Sequence, residues 1–254
     1  MHFKLKQTKL LSAISYFLVA ISLLSCNKTP VCDCFDSAGS DASQTRSLPS
    51  FNQIVANDNV NVFITTGSPQ SVTIEGGKNL IPNIGADVNG NVLTLKNNNI
   101  CNWLRSYKKS HINVYITMPD LNTITNSGYG TVQSQGTLTF DSLVLGTTNS
   151  PGDITLDVNA RYINAHMFGT ADLTLTGTCQ NFFCNYFGGT GFIYNSGLVV
   201  TNYAFLSSNT TGDSYLNCTG GLGVQLYGEG NVYYSGNPTS VQSSVVGSGQ
   251  LIKQ

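Results

Sequence analysis

Three groups of residues in the 254-residue chain are of types that do chemistry. Asp153 and Asp172 stand 19 positions apart in matching sequence contexts, with Asp157 close by. Two carboxylates brought together can bind a divalent cation or serve a glycosidase, which needs a carboxyl pair at a defined separation. Trp103, Arg105, Tyr107, Lys108 and Lys109 put aromatic faces beside cationic donors, a combination suited to a sugar or an anion. Cys26 is a thiol placed directly after an apolar run, where a lipid can be attached. Each group also has an ordinary reading. An aspartate beside a turn caps backbone N–H groups, a polar loop is simply solvated, and a signal segment can end near an unrelated cysteine.

Composition narrows the chemistry further. Charged residues make up 10% of the chain, against roughly 25% in an ordinary globular protein. The net charge of −1 offers nothing to neutralise phosphates, so nucleic acid is excluded as a partner. Between Ser127 and Gln250 the only Lys or Arg is Arg161, and the acids are Asp141, Asp153, Asp157, Asp172, Asp213 and Glu229. That set lacks the cationic base and the carboxylate cluster of a metal-dependent polysaccharide lyase. His111 and His166 have no Ser or Cys partner in a known motif, and no G-x-S-x-G, P-loop or dinucleotide fingerprint is present. No catalytic residue and no cofactor is expected.

The N-terminus reads as targeting. Lys4, Lys6 and Lys9 precede a largely apolar stretch, Leu10 to Leu24, too short for a stable membrane span. It closes with Leu23-Leu24-Ser25-Cys26, which resembles a bacterial lipobox and makes Cys26 the acylated first residue of the mature chain. Residues 1–25 are then a lipoprotein signal peptide, and their removal leaves 9 Lys+Arg against 13 Asp+Glu. Residues 26–47, rich in Ser, Asp and Ala without apolar periodicity, read as a flexible tether, and a single domain is expected over 48–254. The membrane partner is thus reached through the lipid, at the outer membrane, facing the periplasm or the exterior. Six cysteines remain: Cys32, Cys34, Cys101, Cys179, Cys184 and Cys218. Export permits disulfides, but the spacing dictates no pairing, and buried thiols in strands are the alternative for the last three.

From residue 48 to 125 the pattern is one of short strands: Phe51–Ala56, Val60–Thr66, Ser71–Glu75, Val92–Lys96 and Ile112–Met118. Val88-Asn89-Gly90-Asn91-Val92 carries a hairpin signal of the primed-turn type. Asn97 to Ser110 reads as a loop. From 126 to 254 the chain repeats. A small turn residue recurs at Gly130, Gly152, Ala171, Gly191, Gly212, Gly230 and Gly249, at spacings of 22, 19, 20, 21, 18 and 19. Two places later come Val132, Ile154, Leu173, Ile193, Ser214, Val232 and Leu251, six of them aliphatic, while the place between is polar except at Phe192. Units of about 20 residues with alternating strands and no helical period predict an all-β, parallel β-helix or β-solenoid fold; a sandwich of stacked hairpins is the alternative. One unit reads as Gly152 to Val158, a break at Asn159-Ala160, then Tyr162 to Phe168, with each turn aspartate capping its own turn.

Phe51-Asn-Gln-Ile54, Asn59-Val-Asn-Val-Phe-Ile64, Ser71-Val-Thr-Ile-Glu-Gly76, Asn113-Val-Tyr-Ile-Thr-Met-Pro-Asp-Leu121 and Asn126-Ser-Gly-Tyr-Gly130, with the tail Gly230-Asn-Val-Tyr-Tyr-Ser-Gly-Asn-Pro238, together resemble the head-GIN family of autotransporter-adhesin domains, common in exported proteins of Bacteroidetes. The family's SGSGD turns have loosened here to Ser150-Pro-Gly-Asp153, Gly169-Thr-Ala-Asp172 and Thr210-Thr-Gly-Asp213. The resemblance implies a β-helical fold, an adhesin-like role and no transferable catalytic residues. The expectation is a lipid-anchored interaction protein of the cell envelope, whose partner is a glycan or an envelope protein. The alternative is a carbohydrate-active β-helix using the turn aspartates.

Overall fold

Strands account for nearly all regular structure in the computed structural model, which describes residues 37–100 and 111–254. They are β1 (Asp41–Arg46), β2 (Gln53–Ala56), β3 (Val60–Thr66), β4 (Ser71–Gly77), β5 (Ile84–Asn89), β6 (Val92–Asn97), β7 (Ile112–Met118), β8 (Thr123–Asn126), β9 (Val132–Thr147), β10 (Ile154–Phe168), β11 (Leu173–Phe187), β12 (Ile193–Asn209), β13 (Ser214–Cys218), β14 (Gly221–Leu226), β15 (Val232–Ser235), β16 (Ser240–Val245) and β17 (Leu251–Lys253). The chain is a β-solenoid of about seven turns, as the repeat predicts.

Each coil contributes to two ladders. The first arm runs β1, β4, β7, β3, the first half of β9, then the first halves of β10, β11 and β12, and ends with β13, β15 and β17. The second arm runs β5, β6, β2, β8, the second halves of β9 to β12, then β14 and β16. Pairing is antiparallel only at the N-terminal end, in β1–β4, β4–β7 and β5–β6, and parallel elsewhere in both ladders.

The aliphatic position of the repeat becomes one inward row of the first arm: Val132, Ile154, Leu173, Ile193, Ser214, Val232 and Leu251 are register partners in adjacent coils. The first six are fully buried. Burying each aliphatic contributes roughly 1.5–3 kcal/mol, and a coil realises that only when both neighbours cover it. The expected break at Asn159-Ala160 is not there. β10 continues through it, and the chain turns its corner one step later, where Arg161 and Tyr162 both face outward and shift the inward set from Val158 and Ala160 to Ile163, Ala165 and Met167. A strand can bend without losing its ladder, so the corner costs two outward residues rather than a turn.

The turn column packs so tightly that glycine fills every place in it but Ala171. A Cβ on Gly130 would lie 2.0 Å from the Val60 carbonyl oxygen, on Gly212 2.1 Å from that of Gly191, on Gly230 2.1 Å from that of Gly212 and on Gly249 2.2 Å from that of Gly230. The backbones of successive coils touch here, which is the close approach that glycine permits.

The N-terminal coils are interleaved. β2 lies between β6 and β8, and β3 between β7 and β9, so the coil that comes first in the chain is the second in the stack. The hairpin expected at Gly90 is present: Asn89 pairs with Val92, and Gly90 has φ +60°. The start of the sheet needs correction. Within the stretch read as tether, β1 pairs with β4 along its whole length, Asp41 opposite Gly77 through Arg46 opposite Val72. Apart from Ala42, which packs against the core, its residues are polar and mostly exposed, so it is held chiefly by backbone bonds and leaves no apolar alternation.

Candidate functional site

The polar place of the repeat forms a column at the start of the first arm, and it binds coil to coil. The Asp153 Oδ1 accepts the Asp172 N–H (2.8 Å), the Asp172 Oδ1 accepts the Phe192 N–H (2.8 Å), the Asp213 Oδ1 accepts the Asn231 N–H (2.7 Å) and the Asn231 Oδ1 accepts the Gln250 N–H (3.0 Å). The same residues' carbonyls accept from the preceding coil, for example Ile154 N–H to Asp172 O (3.0 Å). Each aspartate therefore caps the next coil rather than its own turn. In a stack the equivalent N–H of the following coil is the nearest unsatisfied donor. The Thr131 hydroxyl accepts from Gln133 of its own coil instead, and Phe192 has no polar side-chain atom, so the column is interrupted at both.

This arrangement decides what Asp153 and Asp172 do. Burial pushes the Asp172 carboxyl above its ordinary value; the Phe192 N–H opposes that shift and the Asp153 charge adds to it. Asp157 is likewise engaged, accepting from the Thr137 and Thr176 hydroxyls of the coils on either side. Among the described residues no group of three or more His, Cys, Asp or Glu side chains is placed to hold a metal ion. Arg161 pairs with Asp141 of the preceding coil at 2.8 Å, both well exposed, and lies 5.0 Å from the Tyr162 ring centre. Exposed pairs of this kind contribute little.

The outer surface of the first arm carries an uncharged row. Tyr115, Phe63, Gln133, Thr155, Thr174, Tyr194, Tyr215 and Tyr233 are successive register partners. Phe63 and Tyr115 stack at 5.0 Å, Tyr194 and Tyr215 at 5.9 Å, and Tyr215 and Tyr233 at 5.1 Å, all within 17° of parallel. Stacked along the axis, these rings cover one another's faces and turn edges and hydroxyls to solvent. On the second arm, Gly146 interrupts the outward row between Thr125 and His166. A groove of about 610 Å3 opens there, bounded by Val144, Thr148, Asn149 and Phe168. The sequence reading missed it; the available signal was a glycine inside the alternating run Leu143-Val144-Leu145-Gly146.

Cys26 and the cluster Trp103, Arg105, Tyr107, Lys108 and Lys109 lie outside the described residues, as do Cys32, Cys34 and Cys101. Cys179, Cys184 and Cys218 are buried free thiols in strands. Burial pushes the Cys179 thiol up to about 12 and raises that of Cys184 as well.

A family profile described as "Putative auto-transporter adhesin, head GIN domain" matches residues 50–238. The chain belongs to this family. Among solved structures, a head GIN-like fold is shared with a "putative adhesin" from Bacteroides fragilis, at a TM-score of 0.77 and 26% identity over 85% of this chain and 97% of that one. A second "putative adhesin", from Parabacteroides merdae, has a TM-score of 0.63 at 17% identity, covering 86% and 98%. A protein from Parabacteroides distasonis described as a "putative lipid binding protein" has a TM-score of 0.60 at 14% identity, covering 87% and 99%. At those identities the last two attest the fold alone. No match is found among curated proteins.

Proposed function

We propose that this head GIN protein is an adhesin-like component of the cell envelope, held by a lipid on Cys26 and presenting the outer faces of its solenoid to a glycan or a protein. The observation that carries this reading is the commitment of the turn aspartates. The Asp153, Asp172 and Asp213 Oδ1 atoms hold backbone N–H groups of the next coil, which leaves hydroxyls, amides and aromatic edges as the recognition chemistry. No catalytic activity is proposed, because the column aspartates spend their Oδ1 atoms on backbone N–H groups of the next coil. Family membership supports an envelope or surface location. Among the described residues no helix is long and apolar enough to cross a membrane, and in this reading the lipid on Cys26 supplies the attachment.

In this reading residues 1–25 are removed, Cys26 is acylated, and the chain from there to β1 spans the distance to the membrane. The segment bearing Trp103, Arg105, Tyr107, Lys108 and Lys109 follows β6 and precedes β7 in the chain, the strands of the first coil in the stack, and is proposed to contact the ligand. Two measurements test the proposal. A palmitate analogue should label the wild type and not Cys26→Ala; equal labelling removes the anchor. Cells displaying the protein should adhere to glycan-coated or matrix-coated surfaces more than deletion cells do, and hydrolysis of a polysaccharide panel that disappears in Asp153→Asn would instead establish the enzyme reading.

A further inference from the structure

We propose that the groove at Gly146 is a subsite for an uncharged pyranose of a glycan, a deepening of the adhesin-like reading that rests on it only for the biological source of the sugar. Gly146 lies inside β9, between Thr125 of β8 and His166 of β10 in one outward row. Neighbouring strands are about 4.8 Å apart, so one missing side chain opens a gap about two strand spacings wide. The fold does not require glycine here. A Cβ would meet only the His166 carbonyl oxygen at 3.7 Å and the Thr125 Oγ1 at 3.8 Å, ordinary contacts, and the backbone is not left-handed. The turn glycines, by contrast, could not carry a Cβ without collision. A glycine that weakens a strand interior with no backbone need for it marks the close approach of another molecule.

The walls fit a sugar. Phe168 is 43% exposed, and Phe187 stacks on one of its faces with ring centres 5.5 Å apart. The β9–β10 pairing ends at His166 opposite Gly146, two residues before Phe168, whose ring borders the groove. A flat apolar ring face takes the C–H face of a pyranose. Around it stand the hydroxyls of Thr125 and Thr148, the Asn149 amide and the His166 imidazole, which supply both donors and acceptors. Asn149 holds a left-handed backbone, with φ 54°, a conformation that concentrates at ligand sites. No Lys, Arg, Asp or Glu lines the groove, so its charge complement is a neutral sugar rather than a uronate. The volume of about 610 Å3 falls in the usual range for small-molecule clefts.

The test uses the full chain in detergent micelles and isothermal titration with maltohexaose, cellohexaose, laminarihexaose and mannohexaose, alongside hexagalacturonate and dodecanoate. At least one neutral hexaose should bind saturably. Gly146→Val, which fills the gap, and Phe168→Ala, which removes the platform, should each weaken that binding at least tenfold, while Phe168→Tyr retains it. The melting temperature of Gly146→Val should equal or exceed the wild type, because valine is the better strand former. Failure of every neutral hexaose to bind, binding unchanged in both Gly146→Val and Phe168→Ala, or binding of hexagalacturonate or dodecanoate alone overturns the proposal. Adhesion of cells carrying Gly146→Val at the wild-type level would remove the groove while leaving the adhesin-like reading in place; wild-type cells that do not adhere would remove that reading while the titration still decides the groove.

Discussion

The two ends of the solenoid are assembled by different rules. From β10 onward each coil pairs with the one just before it in the chain and the one just after. At the N-terminal end, β2 and β3 are clasped between β6–β7 on one side and β8–β9 on the other. A coil added in order can be lost in order, whereas a coil clasped between later segments can open only when both neighbours do. The repeat region should therefore fray from its end as separable units, and the interleaved region should behave as one cooperative block.

The largest difference should come from a buried charge. Val62 is fully buried between β7 and β9, and Val62→Asp should cost several kcal/mol and abolish the folded signal in far-UV circular dichroism. Ile252→Asp, on the half-buried last strand, should cost less than about 1 kcal/mol. Comparable losses for the two would refute the contrast. Next come the turn glycines. Gly130→Ala drives a Cβ onto the Val60 carbonyl inside the clasped region, and Gly249→Ala, in the last coil, onto the Gly230 carbonyl of the coil before it. Overpacking costs about 1–3 kcal/mol; urea midpoints should place Gly130→Ala near the top of that range and Gly249→Ala near the bottom, because the last coil can shift.

The inter-coil caps give a smaller effect with a distinctive pH dependence. Asp172→Ala strands the Phe192 N–H and should cost about 1–2 kcal/mol. Asp172→Asn keeps the acceptor and removes the charge. Because the folded-state carboxyl titrates above its ordinary value, its favourable contribution is complete below the ordinary carboxylate range and is lost as pH rises through the raised value. The melting temperature of Asp172→Asn should thus equal or exceed the wild type at pH 7, and the gap should close below about pH 4. The subtlest readout is thiol labelling by iodoacetamide at pH 8, mapped by mass spectrometry. Cys218, nearer the C-terminal end of the stack, should label through local opening sooner than Cys179 and Cys184, which lie in β11 between complete coils. Labelling of all three at one rate would mean that the repeat opens as a single unit.

The same contrast explains what could be read from the sequence. Val132 through Leu251 and the glycine column announce themselves because each coil repeats the packing problem of the last one at a spacing near 20. The clasping of β2 and β3 is invisible, since it depends on pairings between distant segments whose strands look alike. β1 escapes because an edge strand built of Asp, Ser, Gln and Thr carries no apolar alternation. The aspartates were recognised as capping residues, but which N–H they cap depends on the stacking distance, not on the turn. The Gly146 groove is harder still: in Gly146-Thr147-Thr148-Asn149 a strand glycine sits beside true turn residues, and only the register separates them.

The position of the clasped coil also has a mechanical meaning. Hydrogen bonds in both ladders run along the solenoid axis, so tension along that axis loads them lengthwise, coil by coil. With the anchor proposed at Cys26 and the ligand proposed between β8 and β10, a force between the two would pass through the interleaved coils and bypass β11 to β17. There the chain cannot peel one turn at a time, because releasing β2 and β3 means parting them from strands on both sides at once. The part of the molecule that bears the pull would be the part built to yield last.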